Sequence, residues 1–226
     1  MEPIQLRRHL LAKPSELWWW RHWSLSLCIA GISLLCGACT VKVPVHPEVG
    51  TLENTDKLPV VTALLIKQET QGYIFHGYPE NLTAGGRWHD FLLGEALEKA
   101  ALQAFSQVFE QVRVVRTAAE AKPFQLVIEP TIEDFHFRYD QITYGPLRTG
   151  VLTKVTVYAI LTAGDTTLWE HRVQSPWQRK GPWVINFSVE EEAGQSASEA
   201  LAYALRTLAQ EIAQDPSIRQ WAAAGA

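Results

Sequence analysis

The chain has 226 residues, 47% of them hydrophobic, with 20 Lys+Arg against 24 Asp+Glu and a formal charge of −4. That length allows one domain with a short extra segment, and that apolar content suffices for a core. The acidic balance argues against a nucleic-acid partner, because phosphate contact needs a basic footprint.

The first segment sets the compartment. Arg7, Arg8, Lys13 and Arg21 outnumber Glu2 and Glu16, and Trp18, Trp19, Trp20 and Trp23 suit a membrane–water interface. Ser24 to Leu35 follows as an apolar run of roughly a dozen residues, the length of a signal-peptide core. It is short for a membrane span, which needs about 20. Leu34-Leu35-Cys36-Gly37-Ala38-Cys39 closes the run. Gly37 and Ala38 fit a signal-peptidase pocket, while Cys36 stands where bacterial lipoproteins usually carry Leu. We read cleavage between Ala38 and Cys39 and lipid on the Cys39 thiol. An uncleaved signal anchor is the alternative.

Cysteine usage agrees. The three cysteines are Cys28, Cys36 and Cys39, so the chain from Cys39 onward keeps one, at its first position. No disulfide can form within that domain, and its stability must come from packing. Removing residues 1–38 takes away four basic and two acidic residues, leaving 188 residues with a formal charge of −6. Thr40 after the cysteine, rather than Asp, fits export to the outer membrane under the enterobacterial sorting rule.

Residues 39–57 read as a flexible tether, because Pro44 and Pro47 block regular structure. Part of it could instead pack as an edge strand. A domain is expected over 58–222. Val60 to Ile66 reads as a buried strand. Tyr73, Phe75 and Tyr78, in a glycine-rich loop, could add a short hairpin arm. A helix is expected over 90–110, capped by Asp90, with Leu93, Leu97, Ala100, Ala101, Ala104 and Val108 on one stripe. Val112–Val115 follows as a strand. Residues 124–139 alternate with period two, and the apolar parity shifts near Glu133-Asp134, which marks a bulge. Residues 151–161 form the next strand, with Val151, Val155, Val157, Ala159 and Leu161 inward. Ala163-Gly164-Asp165 turns the chain into a returning strand, Thr167 to Gln174. Residues 175–195 are irregular. A last helix runs from Ser196 to Gln214, with Ser196 as its cap and Ala197, Leu201, Ala204, Leu205, Leu208 and Ile212 inward. Pro216 stops it. The expected class is a two-layer α+β fold, order β-α-β-β-β-β-α, with a mainly antiparallel sheet and two long helices on one face.

The order of elements, the lipobox and the closing Gln214-Asp215-Pro216-Ser217-Ile218-Arg219-Gln220-Trp221 together resemble the YajG-type lipoproteins of Gram-negative bacteria. The likeness covers roughly residues 88–222. It implies an outer-membrane lipoprotein with an α+β domain, no established activity, and no binding residues to carry over.

No compact catalytic motif occurs. There is no HExxH, and Gly85-Gly86-Arg87 lacks the Lys-Ser/Thr of a phosphate loop. Asp134, His136, Arg138 and Asp140 share one strand face, opposite Phe135, Phe137 and Tyr139. That reads as the solvent side of an amphipathic strand, with metal or acid–base work as the alternative. His89-Asp90 is explained by helix capping. Trp177-Gln178-Arg179-Lys180-Gly181-Pro182-Trp183 is the best binding candidate: Trp and Arg anchor interfaces, and Trp177, Arg179, Lys180 and Trp183 flank a Gly-Pro turn. A hairpin tip folded onto the sheet is the plainer reading. The expectation is therefore a non-catalytic envelope lipoprotein, anchored to the membrane through Cys39 and facing the periplasm. It should bind a protein partner, with no metal, cofactor or nucleic acid. An envelope hydrolase acting on cell-wall or lipid material is the competing expectation.

Overall fold

The computed structural model describes residues 40–53, 56–80, 87–140, 148–184 and 189–225, with only the backbone of 140, 148–149, 181–184, 189 and 225. Cys39 lies outside the described residues. The strands are β1 (Val41–Val43), β2 (Leu58–Leu65), β3 (Phe75–Gly77), β4 (His89–Phe91), β5 (Phe109–Val115), β6 (Leu126–Asp140), β7 (Arg148–Ala163), β8 (Thr166–Gln174) and β9 (Gln178–Val184). The helices are α1 (Gln68–Gln71), α2 (Leu93–Phe105), α3 (Ala118–Ala121), α4 (Val189–Gln214) and α5 (Pro216–Gly225).

The larger sheet runs β5-β2-β6-β7-β8, and β9 pairs with the first part of β7. β2 lies between β5 and β6 and is parallel to both, while β6, β7, β8 and β9 are antiparallel neighbours. The sheet is thus mixed rather than mainly antiparallel at its β2 end. A strand paired on both sides in parallel is buried on both faces, and residues 62–65 of β2 are.

Alternation along β2 divides the core. Leu64 and Ile66 join the main cluster with α2 and α4, whereas Ala63 and Leu65 join Val115 and Ala121 in a small cluster under α3. The expected inward residues of β7 are all buried, as are both helical stripes. The bulge in β6 falls where the parity shift put it: the register slips between Ile132 and Asp134, leaving Glu133 as the extra residue. Gly164, at φ +56°, turns β7 into β8, a conformation that costs glycine little.

Four expectations need correction. First, residues 41–52 are not a free tether. Val43, Val45, Val49 and Leu52 are buried in the main core. Val41–Val43 pair with β4, as the edge-strand alternative allowed, and beyond Pro44 side chains of α4 and of the turn after α2 satisfy the backbone. His46 N–H donates to Ser198 Oγ (2.8 Å), and Leu52 N–H donates to Gln107 Oε1 (2.8 Å). Gly194 of α4 makes room: a Cβ there would lie 2.3 Å from the Pro44 carbonyl oxygen. Second, α2 starts at Leu93 with no side-chain cap, and Asp90 belongs to β4. Third, residues 178–184 form β9 rather than an irregular loop. Lys180 pairs with Val151 and Trp183 with Thr149, so Gly181-Pro182 sits at a bulge, not a hairpin tip. Fourth, α4 starts at Val189, and Ser196 is a buried interior residue. Its hydroxyl contacts Thr153 Oγ1 (2.9 Å) and donates to the Gln178 carbonyl (2.9 Å), tying α4 to β7 and β9.

Pro216 does end α4, and it opens α5 as well. The Asp215 carboxylate accepts from the N–H groups of Ser217 (2.8 Å) and Ile218 (3.0 Å), a normal N-terminal cap.

β1, β4 and β3 form a second sheet, with β1 parallel and β3 antiparallel to β4. One face packs inward through Val43, Phe91 and Phe75, where Phe91 and Phe75 each meet Phe135 at 4.8 Å between ring centroids.

Candidate functional site: an exposed face around Trp177

Strand alternation builds this face. Phe135 and Phe137 point into the core, so Asp134, His136 and Arg138 must point out. β7 places Lys154 opposite His136. The chain leaving β8 then brings Trp177 alongside Lys154, just before Gln178 pairs with Thr153. Two polar clusters separate in sequence thereby become one surface.

Trp177 is half-buried and central. The Arg138 guanidinium lies 4.0 Å from its ring centroid, and the Lys154 ammonium lies 5.1 Å away. Cations over tryptophan are attracted by the ring quadrupole, by about 0.5–1 kcal/mol at exposed sites. Neither cation has a carboxylate partner among the described residues. The His136 ring lies 6.1 Å from Trp177. His136 Nε2 meets Asp134 Oδ2 at 2.7 Å, and its Nδ1 meets Glu80. The two carboxylates sit on different ring nitrogens, so they do not converge on one ion. Among the described residues no group of three His, Cys, Asp or Glu is arranged to hold a metal.

The proposed anchor residues do not form one patch. Arg179 pairs in register with Leu152 and, two residues on from Trp177, takes the same side of the sheet. Lys180 takes the other side and pairs with Glu199 of α4. It borders a separate open groove of about 490 Å³ with Pro44, His46, Ser198 and Glu199. The Trp183 and Asp140 side chains lie outside the described residues, as do residues 81–86 with Gly85 and Gly86. Sequence reading missed that Arg138 and Lys154 meet Trp177. The alternation of 134–138 was the available signal, but register with β7 and β9 was not.

Open grooves of about 420 and 430 Å³ lie elsewhere, around Phe124 and Ile160 and around Trp221. Neither they nor the Lys180 groove include Asp134 or His136.

His89 and Asp90 do not act together. As strand neighbours they point to opposite faces, and Asp90 contacts His76 instead. His89 is 4% exposed, meets Phe137 edge-on at 5.0 Å, and among the described residues its Nδ1 has no hydrogen-bond partner. Burial lowers its pKa below the usual 6.5, opposed by a backbone hydrogen bond at Arg87 and the charge of Glu190. The unfolded chain therefore binds more protons than the native one once pH falls towards about 6.5, so stability is lost as pH drops through the folded-state value. His89→Phe should fit among these rings and remove that loss. Thermal melts from about pH 7.5 to 5 check it: the variant should lose less stability on acidification than the parent, and an equal loss would contradict the assignment.

The fold and this surface define a two-layer α+β domain whose sheet gathers Trp177, two cations and the Asp134–His136–Glu80 cluster on its outward face. No family model matches the chain, and no curated protein sequence matches it. Among solved structures it is similar to a DUF330 protein from Xanthomonas campestris, at 10% identity over 82% of this chain and 99% of that one, with a TM-score of 0.49. A minor lipoprotein from Acinetobacter baumannii shares 15% identity over 73% of this chain and 96% of its own, at 0.33. Uncharacterized lipoprotein B from Nitrosomonas europaea shares 15% over 78% and 91%, at 0.27. Likeness at this level carries neither family nor function, and the YajG-type resemblance stays with the residues that suggested it.

Proposed function

We propose that the chain is a lipid-anchored lipoprotein of the bacterial envelope. Cys39 carries the lipid, Thr40 directs the protein to the outer membrane, and the domain faces the periplasm. It acts without catalysis, by holding a protein partner on the face around Trp177. The observation that carries this reading is the convergence of Trp177, Arg138 and Lys154, each half-buried, on the outward face of β6 and β7. A tryptophan with flanking cations is the composition that dominates binding energy at protein interfaces. Arg138 and Lys154, which meet no carboxylate among the described residues, favour an acidic patch on the partner.

Crosslinking in intact cells, followed by co-purification, compares the parent with Trp177→Ala and Arg138→Ala. The reading predicts that one dominant partner is lost from both variants while their melts stay near that of the parent. If no partner is recovered and the purified protein turns over cell-wall or lipid substrates, the hydrolase reading replaces it.

A further inference from the structure

We propose that the outward face of the small sheet, centred on Trp88 and Tyr78, rests in the headgroup region of the membrane that carries the lipid. The proposal rests on the lipidation of Cys39 argued above. If Cys39 is acylated, only Thr40 separates it from β1, because Val41 already donates its N–H to the Trp88 carbonyl (2.7 Å). Residues 43–52 are then packed on the domain. No slack is left between lipid and fold, and the domain is held against the bilayer on its β1 side.

What β1 and its neighbours present there is membrane-like in chemistry. Val41 pairs with His89, and His89 pairs with Gly77, so Thr40, Trp88 and Tyr78 fall at one end of the sheet, the end bearing the anchor. Trp88 is half-exposed and lies against Tyr78 at 4.0 Å between centroids. His76 stacks on the other contact of Trp88 at 4.4 Å and 4°. Tyr78 is 39% exposed and Ile74, further along the same outward side of β3, is 48% exposed. With Val61 they are the exposed large hydrophobic residues described, so two of those three share this face. Lys42, also exposed, stands on this face in register with Asp90, whose carboxylate contacts His76. Trp and Tyr rings favour the boundary where one end is wet and the other apolar.

The test uses the mature lipidated protein, purified from membranes and reconstituted into phosphatidylethanolamine–phosphatidylglycerol vesicles with or without brominated phosphatidylcholine. From Cys39 onward the chain has five tryptophans: Trp88, Trp169, Trp177, Trp183 and Trp221. Bromine should quench fluorescence in the parent, and Trp88→Phe should lose most of that quenching while Trp177→Phe keeps it. A photoactivatable phosphatidylcholine reads the same face without any substitution and should label peptides spanning 74–80 and 87–91. Palmitate incorporation at Cys39 is measured on the same samples. Acylated Cys39 with Trp88-dependent quenching, or with lipid label on those peptides, supports the proposal. Acylated Cys39 with neither overturns it and leaves the anchor reading intact. Absence of acylation at Cys39 overturns the anchor reading and this proposal with it.

Discussion

Leu208→Asp should leave the domain largely unfolded at room temperature. Leu208 is fully buried on the apolar stripe of α4, within the main core. A carboxylate there, set among apolar side chains, must either stay charged or protonate. Either way the cost is several kcal/mol. Folded domains hold only about 5–15 kcal/mol in total, so one such change consumes much of the margin. Leu97→Asp should act equally from α2, whose stripe faces the same core. Val61→Asp is the contrasting case. Val61 is 40% exposed, and surface changes of this kind usually stay within about 0.5 kcal/mol. Circular-dichroism melts of the three variants separate the outcomes. Unchanged midpoints for Leu97→Asp and Leu208→Asp would contradict the two-helix core.

Much of that core was readable because it is written in local periodicity. The stripe of α2 and the alternation of β7 each repeat within one element, and neither depends on its neighbours. The bulge at Glu133 was readable for the same reason, since a single extra residue reverses every parity after it. What failed depended on partners far away in sequence. Val43, Val45, Val49 and Leu52 carry an alternation of their own, but Pro44 and Pro47 outweighed it. The side chains that hold the backbone beyond Pro44, Gln103 on α2, Gln107 in the turn after it and Ser198 on α4, lie far along the chain. Gly194 lay in the segment expected to be irregular and is instead a helix-interior residue, required by the approach of Pro44.

The candidate site divides along the same line. That Asp134, His136 and Arg138 share an outward face follows from β6 alone. That Trp177 lies on Arg138 and Lys154 follows only from the registers of β6, β7 and β9, which no local pattern encodes. Treating residues 177–183 as one loop grouped Arg179 with Lys180, whereas a strand sends them to opposite sides. Gly181-Pro182 produced that error, because the same dipeptide serves a turn or a bulge.

Cys39→Ala should abolish lipid incorporation and delivery to the outer membrane. Among the described residues no helix is long and apolar enough to cross a membrane. Acyl chains contribute about 0.8 kcal/mol per buried CH₂, and more than one chain is needed for durable anchoring. The central claim is tested most directly by radiolabelled palmitate incorporation combined with outer- and inner-membrane fractionation of parent and Cys39→Ala cells. The account predicts a labelled parent in the outer-membrane fraction and an unlabelled variant absent from it. An unlabelled parent, or label that survives in the variant, would contradict it.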